Sequence, residues 1–480
     1  MVTYEINNIN VNTIWNKFEQ KCIKEAKASL GISKGQFRNI KDPAWWNDEV
    51  KNAVSIKKKH FKVWQGSGRE EDQNEYIRVN KEAKLKVAQT KQRNGATLDI
   101  KINKYIKDEF GHLLTSNSSI NKRWYQYYRE LLSEEFPSQP LEKQPNTSGP
   151  LQAISVAEVT QAIKRMKKNK ATGPDSVPAD LWKLLGPVGV HWLAKLFNHI
   201  LHTHAIPDAW RRSYIIPFYK NKGDISDCNN YRGVKLTSHT LKIWERILHN
   251  RLHQLVTISE QQHGFTRSKS TTDDIQTIRI IMEKHRLNCE DLHLVFIDLE
   301  KALDRVPRKL VWHAMRAQCI PEHYIVLVQD MYDRVTTQVK SMAGLSKPFA
   351  VNVGVHQGST LSPFLFNLVM NHLTKDIQSP VPWCLLYADD IVLMDKNPKE
   401  LQDTLQKWRL ALETNGLRIS RSKTEHLECN FSDSQSSGAA IMLDAQPLPK
   451  VQKFNYLGSM LTTTATVDED VTHRVNTAWL

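Results

Sequence analysis

A chain of 480 residues with 66 Lys and Arg against 51 Asp and Glu carries a formal charge of +15, and its pI near 9.3 suits a polyanionic partner. Six cysteines without a CxxC pair exclude a zinc knuckle or a disulfide framework and predict reduced, intracellular thiols. No apolar run reaches the roughly 18 residues of a membrane span, and the first 30 residues lack a secretion signal, which leaves a soluble, multi-domain protein.

Residues 1–45 are polar and mixed, and Pro43-Ala44-Trp45-Trp46-Asn47 opens a charged helical segment. Between Lys51 and Asn94 stand 12 Lys or Arg against 5 Asp or Glu, with Phe61, Trp64 and Tyr76 among them. Basic residues with interleaved aromatics suit a phosphate backbone and stacked bases. A solvated helix pair with its aromatics turned inward is an equal alternative. A second helix covers Trp124 to Leu132, and 133–150, rich in Pro and Ser, reads as a linker at a domain boundary.

From there helices and strands interleave. Ser155 with Glu158 forms a capping box for a helix through Lys168, and a turn follows at Gly173-Pro174-Asp175. A helix is predicted from Val188 to His204, a strand from Ser213 to Tyr219, and a long helix from Leu236 to Leu255. Leu292 to Leu299 is a near-continuous apolar run, as in a central strand covered on both faces. Pro307 opens a helix, and Thr336–Met342 with Lys347–Val355 reads as a hairpin. Helices over Leu361–Ile377 and Leu401–Thr414, the latter closed by Gly416, flank the segment LLYADDIVLM. Leu417 to Leu427 is again strand-like. The class is α+β.

In LLYADDIVLM two apolar arms bend at Ala388-Asp389-Asp390, which puts both acids at one sheet rim. Taken alone, an ordinary hairpin tip is the commoner explanation. Asp298 changes the balance, because it ends another apolar strand. If the two pair, three carboxylates converge and cannot all stay ionised without cations. Hard divalent ions are the natural partners, and a pair of them activates the attacking hydroxyl and stabilises the leaving oxygen of a phosphoryl transfer.

These residues sit in a run of motifs that resembles the reverse transcriptase region of non-LTR retrotransposons, most like the RTE type. KATGPDSVPADLW (170–182) resembles the motif before the fingers, and WRRSYIIPFYKNKGD (210–224) and NYRGVKLTSHTLKIWERIL (230–248) the two fingers motifs. QHGFTRSKSTTDDI (262–275), FIDLEKALDRVPR (296–308), GVHQGSTLSPFLFNL (354–368), YADD, GLRISRSKTEHL (416–427) and FNYLGSML (454–461) follow in the family's order across about 300 residues. The resemblance implies a right-hand polymerase fold: a basic helical N-terminal region and linker (1–150), fingers (151–290), a palm with catalytic hairpin and primer grip (291–462), and the start of a truncated thumb (463–480).

It further implies RNA-directed DNA polymerase activity. Asp298, Asp389 and Asp390 would be the catalytic, metal-binding acids, with the Leu299 carbonyl as a further ligand of two Mg²⁺ ions, for which Mn²⁺ could substitute. Lys220 and Arg232 would hold the incoming triphosphate; Arg forks onto phosphate oxygens and Lys supplies a point charge. Ala302, Leu303, Gln357 and Gly358 would line the nucleotide site, the last two just before a helix whose bare N–H groups face the substrate. Lys423 would donate a proton to pyrophosphate, and Tyr456, Leu457 and Gly458 would form the primer grip. The implied partners are an RNA template, a DNA primer or target DNA, and dNTPs, with no membrane and with nucleus or cytoplasm as the place of action.

The sequence departs from the family at three points. Leu303 stands where a Phe usually stacks under the sugar, which bears on sugar discrimination. His356 replaces a Pro. The chain stops soon after the primer grip, so most of the thumb is expected to be missing, as is the N-terminal endonuclease. The runner-up function is an RNA-binding remnant with impaired catalysis.

Overall fold

The computed structural model describes residues 10–30, 48–93, 105–266, 268–432 and 440–479. By internal contacts the chain forms two units: 24–103, and 1–23 with 104–480. Residues 133–150 run almost entirely without regular structure, as expected of a linker, yet they are bonded to the larger unit. Gln139 N–H donates to the Thr414 carbonyl at 2.8 Å, and Thr147 accepts from Glu322 N–H at 2.9 Å.

The smaller unit contains the helices Asp48–Ser67 and Glu70–Arg93, which reverse on each other at Gly68. Its aromatics serve this pairing: Trp64 stacks on Tyr76 at 5.4 Å, and Phe61 meets both rings. Lys58, Lys59 and Lys62 are exposed. The expected helix opening at Pro43–Asn47 lies outside the described residues.

The larger unit is built on two sheets. The first has the order Lys450–Val451, Glu425–Cys429, Leu292–Ile297, Asp390–Asp395, Cys384–Tyr387, with Leu292–Ile297 central and every residue of it buried. Its neighbours on both sides are antiparallel. Two-sided burial explains the unbroken apolar run despite that orientation. Val295, Ile297, Ile391 and Leu393 join the main core, which also takes in the helices Arg308–Ala317, Ser362–Thr374 and Pro398–Glu413. Leu294, Phe296, Val392 and Met394 join a second core with the helix Thr271–Leu287 and the hairpin Lys453–Tyr456/Ser459–Thr462. There Phe454 stacks on Phe296 with ring centres 3.9 Å apart.

The second sheet orders Tyr231–Leu236, Arg212–Tyr219, Thr336–Ser341 and Gly344–Leu345, with Phe349–Ala350 also on Thr336–Ser341. Here the structure corrects the sequence. Residues 231–236 are strand rather than the approach to a helix, and the helix begins at His239 behind the Ser238 cap and ends at Leu252. The predicted Val188–His204 helix is the second half of Ala179–Thr203, kinked where Gly186 takes φ +54° before Pro187. The Ser155 capping box forms, but its helix ends at Lys164. Within 417–427 only Glu425 onward is strand, apart from one bridge between Ile419 and Leu299. No helix among the described residues is long and apolar enough to cross a membrane.

Candidate active site

The hairpin turns over two residues, with Tyr387 paired to Asp390 across Ala388 and Asp389. Ala388 adopts φ +60°, the conformation that tight two-residue hairpins demand. In the neighbouring ladder Ile391 lies opposite Ile297, so one rung further Asp390 lies opposite Asp298. Side chains alternate along a strand, which puts both acids on the face of Phe296 and Val392. Asp389, in the turn, is the third member.

Like charges directly across a ladder repel. The carboxyl of Asp390 is pushed up to about 7, first by burial and then by the charges of Asp389 and Asp298. The Asp390 side chain is nonetheless open to solvent on one side, which screens part of that effect. Asp389 is also raised, by burial and by Asp298. Arg232 and Lys423 oppose both shifts without cancelling them.

The cations come from three elements. Lys423 Nζ donates to Asp298 Oδ2 at 2.9 Å. Arg232 pairs across from Phe218, and Lys220 lies one rung beyond Tyr219–Tyr231, so the two share a face of the second sheet. Lys220 Nζ donates to the Asn229 carbonyl at 3.2 Å, and burial followed by the charge of Lys423 lowers its pKa. Lys301, which the sequence did not single out, joins them: it donates to Tyr127 Oη at 3.3 Å, and burial with the charge of Lys220 lowers it to about 8. Crowded ammonium groups with one carboxylate contact between them suit an anion.

The remaining nucleotide candidates form one wall. Ala302 is buried at the start of the short helix Ala302–Arg305, and Leu303, half-buried, accepts from Val355 N–H at 2.8 Å. Gln357 Nε2 donates to Asp304 Oδ2 at 3.0 Å, while its carbonyl accepts from Lys235 N–H at 3.2 Å. Gly358 takes φ +96° with the Lys235 carbonyl 3.3 Å from where a Cβ would stand. Gln357 and Gly358 precede the helix, as expected; it starts at Ser362, one residue after the predicted Leu361, and Thr360 N–H ahead of it is taken by Glu245. His356 is buried against Tyr332, ring centres 4.4 Å apart, and its backbone N–H bonds the Tyr332 hydroxyl, a donor that a Pro would lack.

Tyr456 is buried below the turn Leu457–Gly458, where φ is +47° and +87°. Its ring lies 5.6 Å from that of Phe296, so the predicted grip packs on the sheet face that carries Asp298 and Asp390.

What sequence reasoning missed is the support of the turn. Gln262 Oε1 accepts from Ala388 N–H at 3.1 Å and from Gly264 N–H at 3.0 Å. His263 N–H donates to the Leu386 carbonyl at 2.8 Å. A Cβ on Gly264 would stand 2.3 Å from Ala388 N. The signal was present in QHGFTRSKSTTDDI, but nothing in the sequence said that this segment lies against YADD.

A divalent cation fits the donor chemistry: three carboxylates on one rim, two of them held against ionisation by burial and then by their neighbours. The Leu299 carbonyl is also free of the adjoining bridge, which uses Asp298 C=O and Glu300 N–H. Among the described residues no three such side chains are drawn into a ready cage. Lys423 sits on Asp298 instead and would have to yield.

Residues 219–461 match the reverse transcriptase (RNA-dependent DNA polymerase) family. The chain is 27% identical over 363 residues to the "Probable RNA-directed DNA polymerase from transposon BS" of Drosophila melanogaster, covering 70% of this chain and 38% of that protein. It is 25% identical to the RNA-directed DNA polymerase from mobile element jockey of the same organism, covering 73% and 39%. The chain thus spans about two fifths of the length of these curated relatives. A solved telomerase from Candida tropicalis, bound to a telomeric RNA fragment, overlaps 61% of this chain and 49% of its own at a TM-score of 0.39 and 14% identity. With a matched segment of this extent, carrying both the paired strands and the acid turn, the chain belongs to the reverse transcriptase family, alongside the polymerases of non-LTR retrotransposons.

Proposed function

We propose that this chain extends a primer 3′-hydroxyl with dNTPs on an RNA template. The observation that carries the proposal is the register that sets Asp390 opposite Asp298, with Asp389 in the adjoining turn and Lys220, Arg232, Lys301 and Lys423 around them. In this reading 151–290 serve as fingers, 291–462 as palm, 463–480 as the start of a thumb, and 1–150 as a basic N-terminal region.

Asp298, Asp389, Asp390 and the Leu299 carbonyl would hold two Mg²⁺ ions, which when bound supply a more acidic 3′-hydroxyl and neutralise charge on the departing pyrophosphate. The chain's own groups do the rest. Lys220 and Arg232 bind the triphosphate and orient it in line. Leu303 packs under the sugar, and Gln357 and Gly358 shape the wall behind it. Lys423, already at Asp298, is placed to protonate pyrophosphate once the triphosphate displaces it. Tyr456, Leu457 and Gly458 position the primer end over the acids.

Single-nucleotide incorporation on an RNA template tests this. The wild-type chain should incorporate a dNTP only with a divalent ion, and Asp298→Asn should reduce the rate by at least about 10³-fold. Equal rates in the two proteins would remove the carboxylates from the reaction.

A further inference from the structure

Resting on the polymerase reading above, we infer that Gln262, His263 and Asp274 are positioning residues that tie the catalytic turn to Tyr456, so that the primer end and the acids are held in one frame. The geometry forms a continuous chain of contacts. Gln262 and His263 bond the hairpin directly, at Ala388 N–H and the Leu386 carbonyl. The His263 ring then contacts Asp274 Oδ1 through Nδ1 and Lys269 Nζ through Nε2, the latter at 2.8 Å. Tyr456 O–H donates to the other oxygen of Asp274 at 3.4 Å.

The protonation pattern follows from the partners. An ammonium has only donors, so Nε2 must accept from Lys269, and the ring proton therefore sits on Nδ1 and points at Asp274. Asp274 is fully buried. An isolated buried carboxylate would be costly, and this one is met by an imidazole N–H, a phenol O–H and the first turn of the helix Thr271–Leu287, whose dipole favours an acid. Such a satisfied buried network fixes orientation. Here it joins by hydrogen bonds three elements that also pack in one core: the segment before the helix, the catalytic hairpin and the grip hairpin. Tyr456 touches neither Gln262 nor Ala388 through any of these bonds, so the hydrogen-bonded link between them runs through Asp274 and His263, beside the packing of the Tyr456 ring with Leu385 and Val392, which Tyr456→Phe retains.

The test uses the full chain with Tyr456→Phe, which deletes one hydroxyl and keeps the ring, and with Asp274→Asn and the double variant. Amide exchange is read over 385–391, where Ala388 N–H reports the Gln262 bond. Each single variant should speed exchange there by at least about threefold, and the double by no more than either single. Nucleotide incorporation by the same proteins should show kcat lower by about tenfold with the dNTP KM within about twofold. Unchanged exchange at the turn in Tyr456→Phe overturns the link, as do effects that multiply in the double variant. A tyrosine that only fills space beneath its own hairpin would leave the turn's exchange as it is. A wild type that incorporates nothing overturns the polymerase reading instead, and the exchange arm still decides the link.

Discussion

At the residue scale the decisive quantity is the charge state of Asp390. Its folded pKa, about 7, lies above the ordinary carboxylate value, so the folded chain binds the proton more tightly than the unfolded one. This contribution to stability is complete below the unfolded pKa, near 4, and is lost as pH rises through 7. Without divalent ions, Asp390→Asn should therefore raise the melting temperature at pH 8 by about 1–2 °C and leave it unchanged near pH 4. A lower melting temperature at pH 8 would mean that the carboxylate is already satisfied. Leu303 is the second residue of interest. Restoring the bulkier ring with Leu303→Phe should increase discrimination against ribonucleotides by about tenfold, read as the ratio of kcat/KM for dNTP and rNTP. These residues were legible because their chemistry is in the side chain: three acids at strand ends, and a Leu where a ring stacks in the family. Lys301 was not, because its crowding by Lys220 arises only when the end of the strand Arg212–Tyr219 is brought beside it by folding.

At the element scale the hairpin that carries Asp389 and Asp390 depends on a neighbour it could not announce. Gly264 has no space for a side chain beside Ala388. Gly264→Ala should cost about 2 kcal/mol in denaturant unfolding, because backbone would have to move, and should slow incorporation more than it weakens RNA binding. An unchanged midpoint would show that the turn is less tightly backed than its contacts indicate. The strongly patterned elements were readable: the all-buried Leu292–Ile297, the Ser155 capping box and the acid turn itself. The strand Tyr231–Leu236 was not, because Gly233 interrupts a short run with charges at Arg232 and Lys235, and only pairing with Arg212–Tyr219 makes it a strand. The kink at Gly186-Pro187 likewise hid the first half of its helix.

At the scale of the whole molecule, the +15 charge is a second feature beside the acid cluster. The exposed Lys58, Lys59 and Lys62 stand on a helix whose aromatics are spent on its partner, which leaves its lysines as the groups that could meet a polyanion. Replacing those three lysines by Gln should flatten the salt dependence of RNA binding, by about two to three units in the slope of log K against log salt if all contact phosphate. An unchanged slope would assign that face to solvent. The division into units at 24–103 could not be read from the Pro- and Ser-rich stretch at 133–150, since a segment without regular structure can still be bonded along its length.

The central claim is that Asp298, Asp389 and Asp390 form a working divalent-ion centre for nucleotide transfer. The most direct measurement is primer extension by the purified chain on an RNA template, titrated with Mg²⁺, with Asp390→Ala alongside. The account predicts extension that appears with Mg²⁺ in the wild type and is absent from the variant while both bind RNA equally. Extension by Asp390→Ala at the wild-type rate, or a wild type that binds RNA and never extends, would contradict it.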